Sequence, residues 1–236
     1  MYTGIDAISV EVQTMSKRGL QSTKYEILQC ATRLFLEKGY TDTYVTTIAK
    51  ELQISTGNLT FWFPTKEHIL AELVRELFAF QWGAEEQRET LSDYLFELVL
   101  IASVCEVNPN IKDLILAVYT HPMSLGIIRE SDTERAKRIF GEYCSEWTDA
   151  DFVLAENVAS GIEYSMLVTE NAENVTFEQR VTSALDTVMM LYKVPEDARK
   201  KLLKEVMAKD YRSKGSLVFE KFCAFVGEKM RYGLAE

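Results

Sequence analysis

The chain has 236 residues, of which 47% are hydrophobic and 26% charged, and this composition is that of a globular protein with a sizeable core. It excludes a disordered chain, a collagen-like repeat and a coiled-coil rod. A formal net charge of −10 argues against nucleic acid as a partner of the whole chain, because phosphate neutralisation needs Lys and Arg.

The negative charge is spread unevenly along the chain. Residues 1–70 contain seven basic and seven acidic residues, so the whole deficit lies in residues 71–236. The basic residues of this first part are Lys17, Arg18, Lys24, Arg33, Lys38, Lys50 and Lys66. A neutral N-terminal segment with local clusters of bases can bind DNA while an acidic remainder is repelled from it.

The sequence carries no sign of a membrane span, a signal peptide or a metal site. No apolar run approaches the roughly 18 residues of a membrane helix, and the first residues lack the basic and apolar regions of a signal peptide. The 4 cysteines and 2 histidines are scattered without metal-ligand spacing. We therefore expect a cytoplasmic protein with reduced thiols, no cofactor and no membrane partner.

Apolar spacing, Gly, Pro and cap residues together predict an all-helical chain. Residues 1–20 show no sustained periodicity and are expected to form a flexible arm, in which Met15 is an alternative start to Met1. After this arm, helices are predicted at about 24–38, 45–52, 55–61 with Ser55 as its cap, 65–82, 91–107, 110–119, 125–147, 149–169, 177–192, 196–209 and 217–232.

Two short helices separated by a tight turn, at 45–52 and 55–61, form a helix-turn-helix candidate. The stretch 45–67 resembles the N-terminal domain of the TetR/AcrR family of regulators, and by motif the resemblance covers about 24–70. The residues that match the family pattern in register are Ile48, Ala49, Ile54, Ser55, Gly57, Leu59, Phe63, Lys66 and Glu67.

The resemblance implies an all-α fold with two parts. A three-helix helix-turn-helix domain at 21–70 is expected to be joined to a larger helical regulatory and dimerisation domain at 71–236. It also implies a ligand-responsive transcriptional regulator that binds double-stranded operator DNA as a homodimer, with repression as the expected mode. The alternative is a helical interaction module of the same fold with little or no DNA binding.

Residues at the start of the second short helix are the expected readers of base sequence. Asn58 can offer paired donor and acceptor groups to adenine, and Thr56 can touch a thymine methyl group. Lys66 is expected to bind a phosphate, whereas Phe61 either contacts DNA or packs beneath the helix. The residues predicted to contact DNA are Tyr44, Thr46, Ser55, Thr56, Gly57, Asn58, Thr60, Phe61 and Lys66.

Three of these positions depart from the family pattern. Thr60 stands where a tyrosine often touches the DNA backbone, Tyr44 stands where a small hydroxyl residue often caps the helix, and Thr46 replaces a common basic residue. Because these changes remove phosphate contacts, we expect DNA affinity either to be modest or to depend more on Lys17, Arg18, Lys24 and Lys50.

A pocket for a small, largely apolar effector is expected between Tyr94 and Trp147. Aromatic side chains with polar tips suit a mostly apolar ligand held by a few hydrogen bonds, although each of them is also an ordinary core residue. The predicted lining residues are Tyr94, Tyr119, His121, Met123, Phe140, Tyr143 and Trp147.

Two apolar stripes near the C-terminal end, with small residues that allow close helix approach, predict a dimer interface. An intramolecular core is the alternative interpretation of the same stripes. The interface residues expected are Phe152, Ala155, Ala159, Ile162, Met166, Val181, Leu185, Val188, Met189 and Tyr192. Since no GxSxG, P-loop, dinucleotide-binding glycine pattern or HExxH is present, we do not expect an enzyme.

Overall fold

The computed structural model describes residues 23–82, 89–170, 173–217, 220, 221 and 224. Within these ranges the chain forms helices joined by short turns and contains no strand, so the prediction of an all-α fold is confirmed. The expected arm at 1–20 and the end of the helix expected at 217–232 lie outside the described residues.

The helices follow one another closely along the chain. In order they are α1 (23–38), α2 (Val45–Glu51), α3 (Thr56–Trp62), α4 (Lys66–Trp82), α5 (Leu91–Val107), α6 (Pro109–Thr120), α7 (Pro122–Phe140), α8 (Asp149–Val168), α9 (Phe177–Leu191), α10 (Glu196–Met207) and α11, described over 211–217.

Local side-chain chemistry sets the starts of α5, α8 and α9. Each helix is preceded by a threonine whose hydroxyl accepts the backbone N–H of the residue three positions later. The side chain of that later residue accepts the backbone N–H of the threonine. Such capping boxes satisfy helix-end donors that would otherwise lack partners. The pairs are Thr90 with Asp93, Thr148 with Asp151, and Thr176 with Gln179.

Two predicted helices have different bounds in the structure. The helix expected at 125–147 begins at Pro122, since proline is tolerated in a first turn, and it ends at Phe140. The last helix begins at 211, where Tyr211 stacks on Phe177 with ring centroids 5.7 Å apart.

Two hydrophobic cores hold the chain together. We call residues 23–70 the head and residues 71–224 the body. The head core joins side chains of α1 to α4 with Leu114 of α6 and Ile128 of α7, so the head packs directly on the body. The body core is built from α5 to α11. The domain boundary expected at residue 70 falls inside α4, whose helix continues without a break.

Among the described residues, no single helix has the length and apolar character needed to cross a membrane. Helices α6 and α7 meet that test only as a pair, by length and composition, and they are bent by 82° where they join.

Candidate nucleic-acid interface

Helix α3 presents small polar side chains to solvent from its first turn. The Ser55 hydroxyl accepts the backbone N–H of Asn58 at 3.1 Å and so begins the helix. Thr56, Gly57 and Asn58 are exposed, while Leu59 is fully buried beneath them. The segment is therefore coiled, anchored by one apolar side chain, and open to a partner on its polar side.

The second turn of α3 carries an exposed aromatic ring. Phe61 is 74% exposed and meets the ring of Trp62 edge-on, with centroids 5.2 Å apart. Phe61 therefore does not pack beneath the helix. Thr60 is half-buried, and its hydroxyl donates to the carbonyl of Gly57 at 3.3 Å.

Helix α2 and the turn after it support α3. Tyr44 precedes α2 without capping it through a side chain, and both Tyr44 and Thr46 are exposed. Ile48 and Ala49 bury the opposite side of α2. The turn between the two helices passes through Gln53, whose φ of 55° lies in the left-handed region.

Lys66 occupies a different environment from the one expected of a phosphate ligand. Its Nζ donates to the carbonyl oxygens of Tyr40 at 2.8 Å and Thr43 at 2.9 Å, and it lies 4.1 Å from the centre of the Tyr40 ring. Burial lowers the pKa of this ammonium. Lys66 therefore fixes the turn between α1 and α2, and its contact with phosphate stays a prediction.

Two of the other four cations in the described head are also engaged. Arg33 binds Glu37 at 2.9 Å and Glu51 at 2.8 Å, which ties α1 to α2. Lys24 binds Glu72 at 2.5 Å. In contrast, Lys38 and Lys50 are exposed and form no ion pair within the described chain, so Lys50 on α2 is the better placed for a phosphate.

The structure brings only some of the predicted pocket residues together, among them Tyr94 and Phe140, whose rings meet edge-on. Phe140 stacks on Tyr192 at 4.2 Å, and Trp147 lies 5.8 Å from the same ring. His121 instead contacts Tyr40 of the head at 5.4 Å, and Met123 is exposed. Tyr94 and Tyr119 do share a partner, Glu163, whereas Tyr143 is half-buried in the turns after α7.

The predicted dimer stripes are corrected by the structure. All of these residues except the partly buried Ile162 lie inside the body core, so they hold one chain together and cannot contact a second. Helices α8 and α9 carry another apolar stripe on their outer side, with Leu154 65% and Val158 53% exposed. Sequence periodicity selected the stripe that packs inside, because apolar spacing alone does not tell which face is covered by the chain itself.

Three acidic residues were missed by the sequence reasoning. Glu156 and Glu163 of α8 are 2% and 3% exposed, and Asp113 of α6 binds the head. The two glutamates stand seven positions apart within the apolar pattern of 152–166, and charged residues on a buried face were the signal that could have revealed them.

Comparison with known proteins concerns mainly the head. Residues 27–73 match the family described as bacterial regulatory proteins, tetR family. Over 48 residues the chain is 44% identical to YuxN of Bacillus subtilis (strain 168), an uncharacterized HTH-type transcriptional regulator. That similarity covers 20% of this chain and 16% of the relative's length.

Two crystal structures of the full-length protein tylp, a tetR regulator from Streptomyces fradiae, are similar over most of the chain at 19% identity. The native form covers 87% of this chain and 99% of its own, with a TM-score of 0.48. The other covers 85% of this chain and 98% of its own, with a TM-score of 0.46.

Proposed function

We propose that this chain, whose residues 27–73 match the bacterial regulatory proteins of the tetR family, is a repressor of that family that binds a near-palindromic operator as a homodimer. A small molecule bound in the body relieves the repression. The observation that carries the proposal is the first turn of α3, where Thr56 and Asn58 are exposed on a helix anchored by buried Leu59.

The geometry of α3 supports direct reading of bases. A helix of this kind enters the major groove with its N-terminal residues against base edges. Asn58 then pairs with adenine, and the small Gly57 lets the backbone approach the DNA closely. Phosphate contacts come from exposed Lys50 and from the arm residues Lys17 and Arg18, and they position the head without selecting sequence.

The outer side of α8 and α9 supports pairing of two chains. An open groove of about 800 Å³ runs between these helices, and Ile162, Ala184 and Thr187 are among its lining residues. Exposed Leu154, Val158 and Met190 extend the same apolar side. A dimer that binds two half-sites one turn of DNA apart needs its two α3 helices about 34 to 36 Å apart. Such a dimer requires a two-fold operator.

A band-shift titration with DNA from upstream of its own gene tests the proposal. The wild-type protein should bind that DNA specifically, with an affinity that falls steeply as salt rises. Asn58→Ala should weaken specific binding by about 1 to 3 kcal/mol, whereas Ser145→Ala, in the exposed turn after α7, should bind as the wild type.

Three results would contradict parts of this function. Absence of a shift even at low salt would favour the helical interaction module, and unchanged specific binding by Asn58→Ala would remove α3 from the reading surface. Transcription from the bound promoter in a reconstituted system measures the sign of regulation, and an increase on adding the protein contradicts repression.

A further inference from the structure

The interior of the body contains two glutamates whose hydrogen-bond partners among the described residues are tyrosine hydroxyls. Tyr94 and Tyr119 donate their hydroxyls to the two oxygens of Glu163 at 2.8 and 3.0 Å. Tyr192 donates to Oε2 of Glu156 at 3.1 Å. The other oxygen of Glu156, Oε1, is buried and has no hydrogen-bond partner, although a buried acceptor without a partner is costly.

Asp132 of α7 faces the same region. Within the described chain its carboxylate has no ion-pair or hydrogen-bond partner, and the side chain keeps some accessible surface. Burial is nevertheless the largest cause of its raised pKa, followed by the charge of Glu163. Asp132 therefore lies at the edge of the interior, close enough to Glu163 of α8 for the two charges to interact.

The charges of this region do not balance. Arg135 is already bound by Glu89 and Glu97, and the Nε of Arg129 lies 3.4 Å from the hydroxyl of Ser160. Within the described residues, no Lys or Arg forms an ion pair with Asp132, Glu156 or Glu163. Buried charges without partners are strongly unfavourable, so either protons or a bound cation must neutralise the excess.

The surroundings indicate what kind of cation fits. No group of three or more His, Cys, Asp or Glu among the described residues is arranged to hold a metal ion. Aromatic rings are close instead: Tyr94 meets Phe140 edge-on at 5.7 Å, and Phe140 stacks on Tyr192. The guanidinium of Arg135 already lies 4.9 Å from the centre of the Tyr94 ring. Aromatic faces beside carboxylates suit an organic cation with apolar substituents.

We propose that the effector is an organic cation, an amine or quaternary ammonium compound with apolar groups, bound in the body between Asp132 and the unpartnered oxygen of Glu156. The inference rests on the proposed function, in which a small molecule bound in the body relieves repression, and it specifies the chemical class of that molecule. It replaces the expectation of a merely apolar effector, because an apolar ligand would leave the buried Oε1 of Glu156 without a partner.

The protonation of Glu156 supports the same conclusion. Burial, and then the charges of Glu163 and Asp132, raise its pKa to about 9, so in the free protein it holds a proton at neutral pH. A cation displaces that proton, and its affinity therefore increases as the pH rises. The groups that face Glu156 are Tyr192 after α9, Arg129 and Asp132 of α7, and Ser160 and Glu163 of α8, with Tyr94 of α5 and Tyr119 of α6 acting through Glu163.

Calorimetric titration of the full chain, without DNA, tests the proposal with three probes. Tetraphenylphosphonium and the smaller benzyltrimethylammonium are organic cations, and tetraphenylborate has the shape of the first with the opposite charge. At least one cation should bind and release a proton, seen as a heat that differs between phosphate and Tris buffers, while the borate should not bind. Binding by neither cation, or equal binding of the borate, would overturn the proposal.

Two variants locate the site. Glu156→Gln should weaken cation binding by at least about tenfold with no loss of thermal stability, because it removes charge and keeps the shape. Glu146→Gln, in the exposed turn after α7, should bind the cation as the wild type. If Glu156→Gln fails to fold, Asp132→Asn takes its place. Wild-type affinity in the folded variant would overturn the assignment.

Band shifts separate this inference from the proposed function. Glu156→Gln should keep its affinity for DNA and lose the release of DNA by the cation. Cation binding that leaves DNA affinity unchanged would overturn the role of the cation as effector. A wild-type protein that binds the cation but not DNA would refute the repressor function and leave the cation site intact.

Discussion

The carboxylate of Asp113 on α6 accepts two hydrogen bonds from Thr41, one from the backbone N–H at 2.7 Å and one from the hydroxyl at 2.6 Å. Thr41 lies in the turn before α2, so a residue of the body holds the turn that leads into α2 and α3. Gly39 permits this approach, because it has a φ of +88° and a Cβ there would lie 2.8 Å from Asp113 Oδ2. The contact therefore links the position of α6 to that of the turn before α2.

Loss of the contact between Asp113 and Thr41 should destabilise the protein. Asp113→Ala eliminates two hydrogen bonds to a charged acceptor and should lower the free energy of unfolding by about 1 to 3 kcal/mol, as measured by urea denaturation. Asp42→Ala, in the same turn and exposed, provides the matched control and should change it far less. An equal decrease in the free energy of unfolding in the two variants would show that the Asp113 contact adds no stability beyond that of an exposed residue in the same turn.

Lys66 and Lys50 should affect DNA binding in different ways. Lys66→Met leaves the carbonyls of Tyr40 and Thr43 without a donor and should lower the free energy of unfolding by about 1 to 3 kcal/mol, with little change in the salt dependence of DNA binding. Lys50→Met should leave stability unchanged and reduce the salt slope by about one. A stable Lys66→Met protein with a reduced slope would instead identify Lys66 as a phosphate ligand.

Charge on the outer side of α8 should separate the proposed dimer. Val158→Glu places a carboxylate in the middle of the surface expected to be covered by a second copy, and desolvation of that charge is unfavourable. Sedimentation should show a monomer with unchanged helical content and weakened operator binding. Val107→Glu, at an equally apolar and 76% exposed position at the end of α5, should stay dimeric. Identical sedimentation of both variants with the wild type would place the interface elsewhere.

The helices were predictable because their signals are local. Ser55 and the threonine caps act within three residues, and apolar spacing marks the buried side of each helix. The contacts that join elements were not predictable in this way. Asp113 meets Thr41 across 72 positions, and the buried stripe of α8 resembles an interface until the neighbouring helices are in place. Lys66 was assigned from a motif, yet its partners are carbonyls of a turn that only the folded head brings together.

The turn between α2 and α3 contains a residue that stability alone would not favour. Gln53 has a φ of 55°, a conformation that costs an L-residue about 1 to 2 kcal/mol and costs glycine little. Gln53→Gly should therefore raise the free energy of unfolding by about 0.5 to 1 kcal/mol without altering operator sequence preference. Lys193→Gly, at a φ of 59° after α9, should have a similar effect, while Lys201→Gly inside α10 should destabilise. A loss of stability in Gln53→Gly would show that its side chain contributes more than the strain removes.

The buried carboxylates also determine how stability depends on pH. The pKa of Glu156 is about 9 in the folded chain, raised chiefly by burial and then by the charge of Glu163, against an ordinary value of 4.5. Between these values the folded state holds more protons than the unfolded state, so the free energy of unfolding falls as the pH rises through this range. Burial raises the pKa of Glu163 and Asp132 as well, which acts in the same direction.

Urea denaturation at about pH 6 and about pH 9 measures this dependence. The wild-type protein should be less stable at the higher pH, and Glu156→Gln should lose part of that difference, because an amide has no proton to release. Glu146→Gln should retain the wild-type difference, since this exposed side chain lies outside the cluster. A saturating organic cation should reduce the loss at high pH, because it supplies the positive charge that the departing proton removes. Wild-type stability that increases from the lower to the higher pH would mean that the interior carboxylates are already compensated.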